Sequence, residues 1–224
     1  MSSGATALMR CLQLASPTLP IGAYAYSQGL EMAVELAWVT SADSLECWLR
    51  DQIEHTITCV DIPLLARLYD AAADGDEAAL KHWSAQLIAQ RETRELRADD
   101  SDRGLALARL LRDLGITTLP LPAGRALPLA TSFACAALHW QIPRAAAAEA
   151  YAWAWLEGQV LAGVKLIPLG QVAGQRLLCT LAEPLAAAVG HGLTLGDDDI
   201  GGSLPALAMA SALHETQYTR LFRS

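Results

Sequence analysis

One serine and one lysine stand in contexts that chemistry often uses. Ser27 lies in Ala25-Tyr26-Ser27-Gln28-Gly29. This is close to the Gly-x-Ser-x-Gly turn in which a strained strand-to-helix bend exposes a nucleophile. Ala25 replaces the first glycine, and no alternating strand precedes it. A serine in the first turns of a helix is the better reading, with a serine hydrolase using Ser27 as the alternative. The run from Gly158 to Lys165 approaches a phosphate loop, but Val164 intrudes before the lysine. Leu166 also stands where a magnesium-binding hydroxyl is required, so nucleotide binding by this motif is excluded. Lys165 is a single cation amid apolar residues. It reads either as a snorkelling lysine near a helix C-terminus or as an interface contact.

Metal chemistry is poorly supplied. His55 and Cys59 are four apart with Asp61 nearby, which places two ligands on one helix face. A firm site needs three or four ligands, so no metal site is assigned and Cys59 reads as a core thiol. His139, beside Trp140, reads as a core histidine. Asp197-Asp198-Asp199 lacks the spacing of a calcium loop and reads as a solvated loop. Arg91 to Arg97 sets opposite charges three and four apart. That pattern reads mostly as a solvated helix face. The last residues differ: Tyr218, Leu221 and Phe222 interleave with Arg220 and Arg223. Chain ends are usually frayed and polar, whereas this composition is that of interface hot spots. Residues 214–224 are therefore expected to form a partner-docking tail.

The elements that position these residues read as helices throughout. Thr6 to Ala15 is amphipathic, with Leu8, Cys11, Leu12 and Ala15 on one face. Ser16-Pro17 ends it, because a residue before proline avoids helical angles. Leu14 to Glu31 then packs two prolines, two glycines, two tyrosines and a serine into an interruption longer than ordinary helix connections. Helical spacing resumes from Tyr24 through Leu30, Ala33, Val34 and Ala37. Thr40, Ser41 and Asp43 offer caps, with Asp43 and Glu46 spaced as a capping box. Leu45, Trp48, Leu49, Ile53 and Ile57 form the next apolar stripe, and Asp61-Ile62-Pro63 marks a restart. A long helix from Glu77 carries the charged run, Ser101-Asp102 caps another, and Gly115 stops it. Thr117 to Pro128, with three prolines, reads as a loop and a seam between halves. Leu129 to Trp140 is helical. The helix from Pro143 to about Leu166 is apolar nearly all round, which predicts a central buried helix. Gln171 to Ala182 follows, Pro184 resets a short segment to Val189, and Ser203 caps a last helix with Pro205 in its first turn. The fold class is all-α: one globular bundle of about nine to eleven helices, with residues 1–224 as a single domain.

Composition bounds the function. The chain has 224 residues, 53% hydrophobic and 18% charged, with a net charge of -8. A chain this long buries roughly 70–75% of its unfolded surface, so a full core is available. The apolar excess points to surface covered by partner chains. No run of about 20 apolar residues spans a membrane cleanly. Only Lys81 and Lys165 are lysines, and no basic stripe exists, which excludes nucleic-acid binding. The five cysteines (Cys11, Cys47, Cys59, Cys135 and Cys179) are widely spaced and fit reduced core thiols. No export pattern opens the chain, so a cytoplasmic location is expected.

Four stretches together resemble one family. Ser-Pro-Thr-Leu-Pro-Ile-Gly-Ala-Tyr-Ala-Tyr-Ser-Gln-Gly-Leu-Glu, within Leu14 to Glu31, looks like the N-terminal signature of the urease accessory protein UreF family. Arg91 to Gly104 resembles its middle motif, Val164 to Gln171 its third, and His214 to Ser224 its C-terminal tail. The matches come in the family's order and span the chain. The resemblance implies an all-α protein with no catalytic centre and no cofactor. It implies binding to UreD (also called UreH), recruitment and regulation of the GTPase UreG, and nickel insertion into apo-urease, with dimerisation in the complex. Carried onto this sequence, the partner-binding residues are Tyr24, Ser27, Glu31, Lys165, Gln171, Tyr218, Arg220, Phe222 and Arg223.

Overall fold

The computed structural model describes residues 4–116 and 126–224. Every regular element among them is helical. α1 (Gly4–Ala15) stops at Ser16-Pro17, as the proline demands. Its inner side runs through Cys11, Leu14 and Ala15. Leu8 and Leu12, expected on that side, are more than half exposed. α1 carries apolar residues on two sides and the core covers one.

The helix expected from Tyr24 is not formed. A single 3₁₀ turn, Ala23–Ala25, is followed by extended Tyr26. Gln28 and Gly29 then take positive φ values of 54° and 82°. α2 (Leu30–Glu35) begins only after this break. A Cβ on Gly29 would lie 3.1 Å from the Ser211 backbone nitrogen, so both conformation and space require glycine there.

α3 (Ala42–Gln52) is capped by Ser41, whose Oγ accepts from the Ser44 N–H at 3.2 Å. Ser44 Oγ accepts in return from the Ser41 N–H at 2.9 Å. This serine pair makes the capping box in place of Asp43 and Glu46, because a cap residue sits outside the helix and Asp43 is already inside. Leu45, Trp48, Leu49, Ile53 and Ile57 are buried as their spacing requires. From Ile53 the chain widens into a π-helical stretch, Ile53–Asp61, that runs straight into α4 (Ile62–Asp74). Asp61-Ile62-Pro63 is therefore no restart. Thr58 Oγ1 donates to the Ile53 carbonyl at 2.6 Å, which helps to satisfy the widened turn.

Gly75, at φ 68°, ends α4, and Asp76 caps α5 (Glu77–Ala89) by accepting from the Ala79 N–H at 2.9 Å. α5 ends before the charged run. Thr93 accepts from the Leu96 N–H at 3.1 Å and starts a separate α6 (Arg94–Asp113). Ser101 and Asp102, expected as caps, lie inside α6. The stretch read as a three-proline seam falls largely at residues 117–125, outside the described residues.

α7 (Leu129–His139) is the central helix, buried at every residue from Leu129 to Ala137. α8 (Arg144–Leu166), expected in that place, leaves Trp153 and Leu161 exposed. The difference lies in size: α7 is mostly alanine, serine, threonine and cysteine, so α4, α6 and α8 can close around it. Gly104 of α6 belongs to the same packing, since a Cβ there would fall 1.9 Å from the Leu127 carbonyl oxygen. α9 (Gln171–Gly192) continues unbroken through Pro184 and lies against α8 and the π-helical stretch. α10 (Pro205–His214) has Leu204 at its N-cap. Ser203, expected there, instead donates to Glu92 Oε1 at 2.6 Å. Two core readings are also corrected. His139 is exposed, and of the five thiols only Cys135 is buried, with Cys47 and Cys179 on the surface. No helix among the described residues is long and apolar enough to cross a membrane.

Candidate functional site

The opening turn and the tail form one unit. The Ser27 and Gln28 N–H groups converge on the Ser224 backbone oxygen at 2.6 and 3.0 Å. Ser27 Oγ donates to the same oxygen at 2.6 Å and accepts from the Glu31 N–H at 3.2 Å. Gln28's positive φ turns its amide toward the same point as Ser27's, a small anion-binding concavity of backbone donors. The Arg223 N–H donates to the Ala25 carbonyl at 2.7 Å. Glu31 accepts the Leu221 N–H at 2.6 Å and the Phe222 N–H at 2.8 Å. Arg220 donates to Glu95 Oε1 at 2.8 Å and also to the Glu215 carbonyl. Phe222 is buried, with the Lys165 ammonium 5.7 Å from its ring centroid, a cation–π distance. Lys165 thus snorkels at the end of α8 and touches the tail.

Beneath this unit lies a buried ionic network. Asp61, at the end of the π-helical stretch, pairs with Arg91 at 2.5 Å, and Arg91 pairs with Asp100 at 2.8 Å. Tyr151 donates to Asp61 at 3.2 Å. Asp100 also accepts the Leu129 N–H at 2.8 Å, which caps α7. Arg103 grips Asp99 with two hydrogen bonds of 2.5 and 2.6 Å. Gln28 joins the network to the turn: its Nε2 donates to Asp99 at 2.8 Å, and its Oε1 accepts from Trp155 Nε1 at 3.0 Å and Gln159 Nε2 at 3.2 Å. Tyr26 donates to Asp102 at 3.2 Å.

Burial works against charge here and the pairing decides the outcome. Burial alone would favour a neutral Arg91, but Asp61 and Asp100 reverse that and hold the guanidinium charged. Burial pushes the Asp99 carboxyl up, against the opposing pull of Arg103. Burial, with Asp61 and Asp100 adding to it, raises the Tyr151 phenol well above its ordinary range. The three carboxylates exceed the two guanidinium groups by one charge, and the Tyr151, Gln28 and Leu129 donors absorb the excess. A cavity of about 170 Å³ runs from this network toward Tyr24 and Lys165.

The arrangement is unsuited to nucleophilic catalysis at Ser27. That side chain is fully buried and its hydroxyl is committed to Ser224. The carboxylates of the network are engaged by arginines rather than poised for proton transfer. Three side chains of this unit stand in solvent: Tyr24 is 74% exposed, Tyr218 fully exposed, and Leu221 mostly so.

The sequence-predicted residues therefore separate into two sets. Tyr24, Lys165, Gln171, Tyr218, Arg220 and Arg223 are exposed, whereas Ser27, Glu31 and Phe222 are buried under the turn and tail. Gln171 lies at the start of α9. The solvated-face reading of the charged run fails for Arg91 and Glu95. Arg91 is locked between Asp61 and Asp100, and Glu95 is 9% exposed. Sequence reasoning missed Gln28, Asp61, Asp99, Asp100, Arg103 and His214. A signal existed for some: Asp100 continues the stripe of Leu96, Gly104, Leu107 and Leu111, so a carboxylate occupies a core-facing position of α6.

The chain is all-α, and its polar interior fastens its own tail. The UreF family model matches residues 39–182. A urease accessory protein UreF of Alkalilimnicola ehrlichii is 54% identical over 216 residues, covering 96% of this chain and 95% of that protein. One from Pseudomonas putida (strain GB-1) is 53% identical over 221 residues, covering 97% and 98%. One from Alcanivorax borkumensis is 47% identical over 226 residues, covering 98% and 99%. The chain belongs to the UreF family.

Proposed function

We propose that this chain is a non-catalytic scaffold of urease maturation. It binds UreD (UreH), recruits and regulates the GTPase UreG, and so helps to deliver nickel to apo-urease. The reading rests on membership of a family whose relatives are named urease accessory proteins. The single observation that carries it is the union of the opening turn with the tail, which presents Tyr24, Tyr218 and Leu221 from a rigid base. Tyrosines held on an ordered backbone are strong interface anchors. Ser27, Glu31 and Phe222 then serve partner binding through the tail they hold, while Tyr24, Lys165, Gln171, Arg220 and Arg223 supply the contact surface. Nickel is cargo in this reading. Asp61 and Asp99 are already paired with Arg91 and Arg103, so they form part of the framework that positions the face. Two copies in the assembled complex suit the exposed apolar strip of Leu8, Met9 and Leu12 on α1. The exposed thiols Cys47 and Cys179 suit the reducing cytoplasm.

Mixing the purified chain with UreD and UreG tests the assignment. The wild type should co-elute in a UreG–UreF–UreD complex. Tyr24→Ala should melt like the wild type but weaken assembly at least about tenfold, as loss of a hot-spot aromatic does. A wild-type chain that fails to enter the complex would overturn the assignment.

A further inference from the structure

The tail is fastened by a histidine that the reading above does not use. His214, at the end of α10, is fully buried. Its Nδ1 lies 2.7 Å from Glu95 Oε2, and its Nε2 lies 3.1 Å from Glu31 Oε2. A neutral imidazole has one N–H and one lone pair. Between two carboxylates, a neutral ring would aim that lone pair at an anionic oxygen. Both contacts are attractive only when each ring nitrogen carries a proton. The charges give the same answer. Glu31 from α2, Glu95 from α6, Arg220 from the tail and a protonated His214 sum to zero, whereas a neutral ring leaves one net negative charge in the interior. One turn earlier, α10 meets α6 through the neutral Ser211–Thr93 hydroxyl pair at 2.7 Å. The Arg94–Glu215 pair nearby is more open to solvent.

The two carboxylates that flank His214 are also the ones that hold the tail. Glu31 takes the amides of Leu221 and Phe222, and Glu95 takes Arg220. We propose that His214 is the positioning residue of the tail: a buried imidazolium shared by Glu31 and Glu95, whose proton is required for residues 220–222 to dock. The proposal rests on the assignment of the tail as part of the partner face.

The test uses the full chain by itself. Ring ¹⁵N shifts of His214 report its protonation directly. Hydrogen exchange at the Leu221 and Phe222 amides, corrected for the intrinsic pH dependence of exchange, reports docking. Both ring nitrogens should be protonated in the folded chain, and the Leu221 and Phe222 amides should be protected. His214→Gln, which keeps one donor and carries no charge, should lower that protection while helix content stays unchanged. A neutral ring tautomer in the folded chain, or protection unchanged in His214→Gln, would overturn the proposal. Assembly with UreD and UreG, measured alongside, keeps the two readings apart. A tail that follows the ring while assembly ignores the tail leaves His214 assigned and removes the docking role. Assembly that needs the tail, with a tail indifferent to the ring, does the reverse.

Discussion

Gly29 and Cys135 mark opposite demands that single residues meet in this chain. Gly29 must turn the backbone through φ 82° while lying against α10. Gly29→Ala adds a Cβ in a left-handed conformation, which costs roughly 1–2 kcal/mol, and the added atom meets the Ser211 backbone at 3.1 Å. Chemical denaturation should show at least that loss, and an unchanged midpoint would show that the turn relaxes freely. Cys135 meets the demand for a small apolar group in the centre of α7. Burial pushes its thiol up to about 12, and burial also raises Tyr151. Both groups keep protons in the folded chain that the unfolded chain releases above about pH 8.5 for the thiol and about pH 10 for the phenol. The folded state then binds more protons, so stability falls as pH rises through that range. The slope reaches up to about 1.4 kcal/mol per pH unit for each group. Unfolding free energies that stay flat up to about pH 10.5 would contradict these burials.

At the scale of elements, α6 and the π-helical stretch meet through charge. Arg91, in the link before α6, ties Asp61 to Asp100. Arg91→Met leaves two buried carboxylates without their cation and should cost about 3–5 kcal/mol in denaturant unfolding, the usual penalty for breaking a buried pair. A loss below about 1 kcal/mol would mean that solvent already reaches the network. The same elements show what the sequence could and could not tell. The stripe from Leu45 to Ile57 and the stop at Gly115 follow from local rules of spacing and backbone conformation, and the structure keeps both. The length of α2 and the start of α6 depended on competing caps and on where Arg91 found partners, which no local rule supplies. α8 is apolar nearly all round in sequence, yet α7 takes the centre. Only the smaller side chains of α7 let three neighbours close on it, a tertiary consequence of volume rather than of periodicity. In the site, the outward aromatics were legible from composition. The inward partners Gln28, Asp99 and His214 were not, because their meaning lies in contacts across 71 residues of chain (Gln28 to Asp99) and 183 residues (His214 to Glu31).

Across the whole molecule, helices and ionic network together hold the opening turn and the tail as one unit. The tail contributes few core contacts beyond Phe222, so the helical body should outlast its removal. The direct test removes Tyr218 to Ser224 and measures two things: helix content by far-UV circular dichroism, and assembly with UreD and UreG by size-exclusion chromatography. Helix content should stay close to that of the full chain, and the UreG–UreF–UreD complex should be lost. Unchanged complex formation by the shortened chain would show that the tail takes no part in docking.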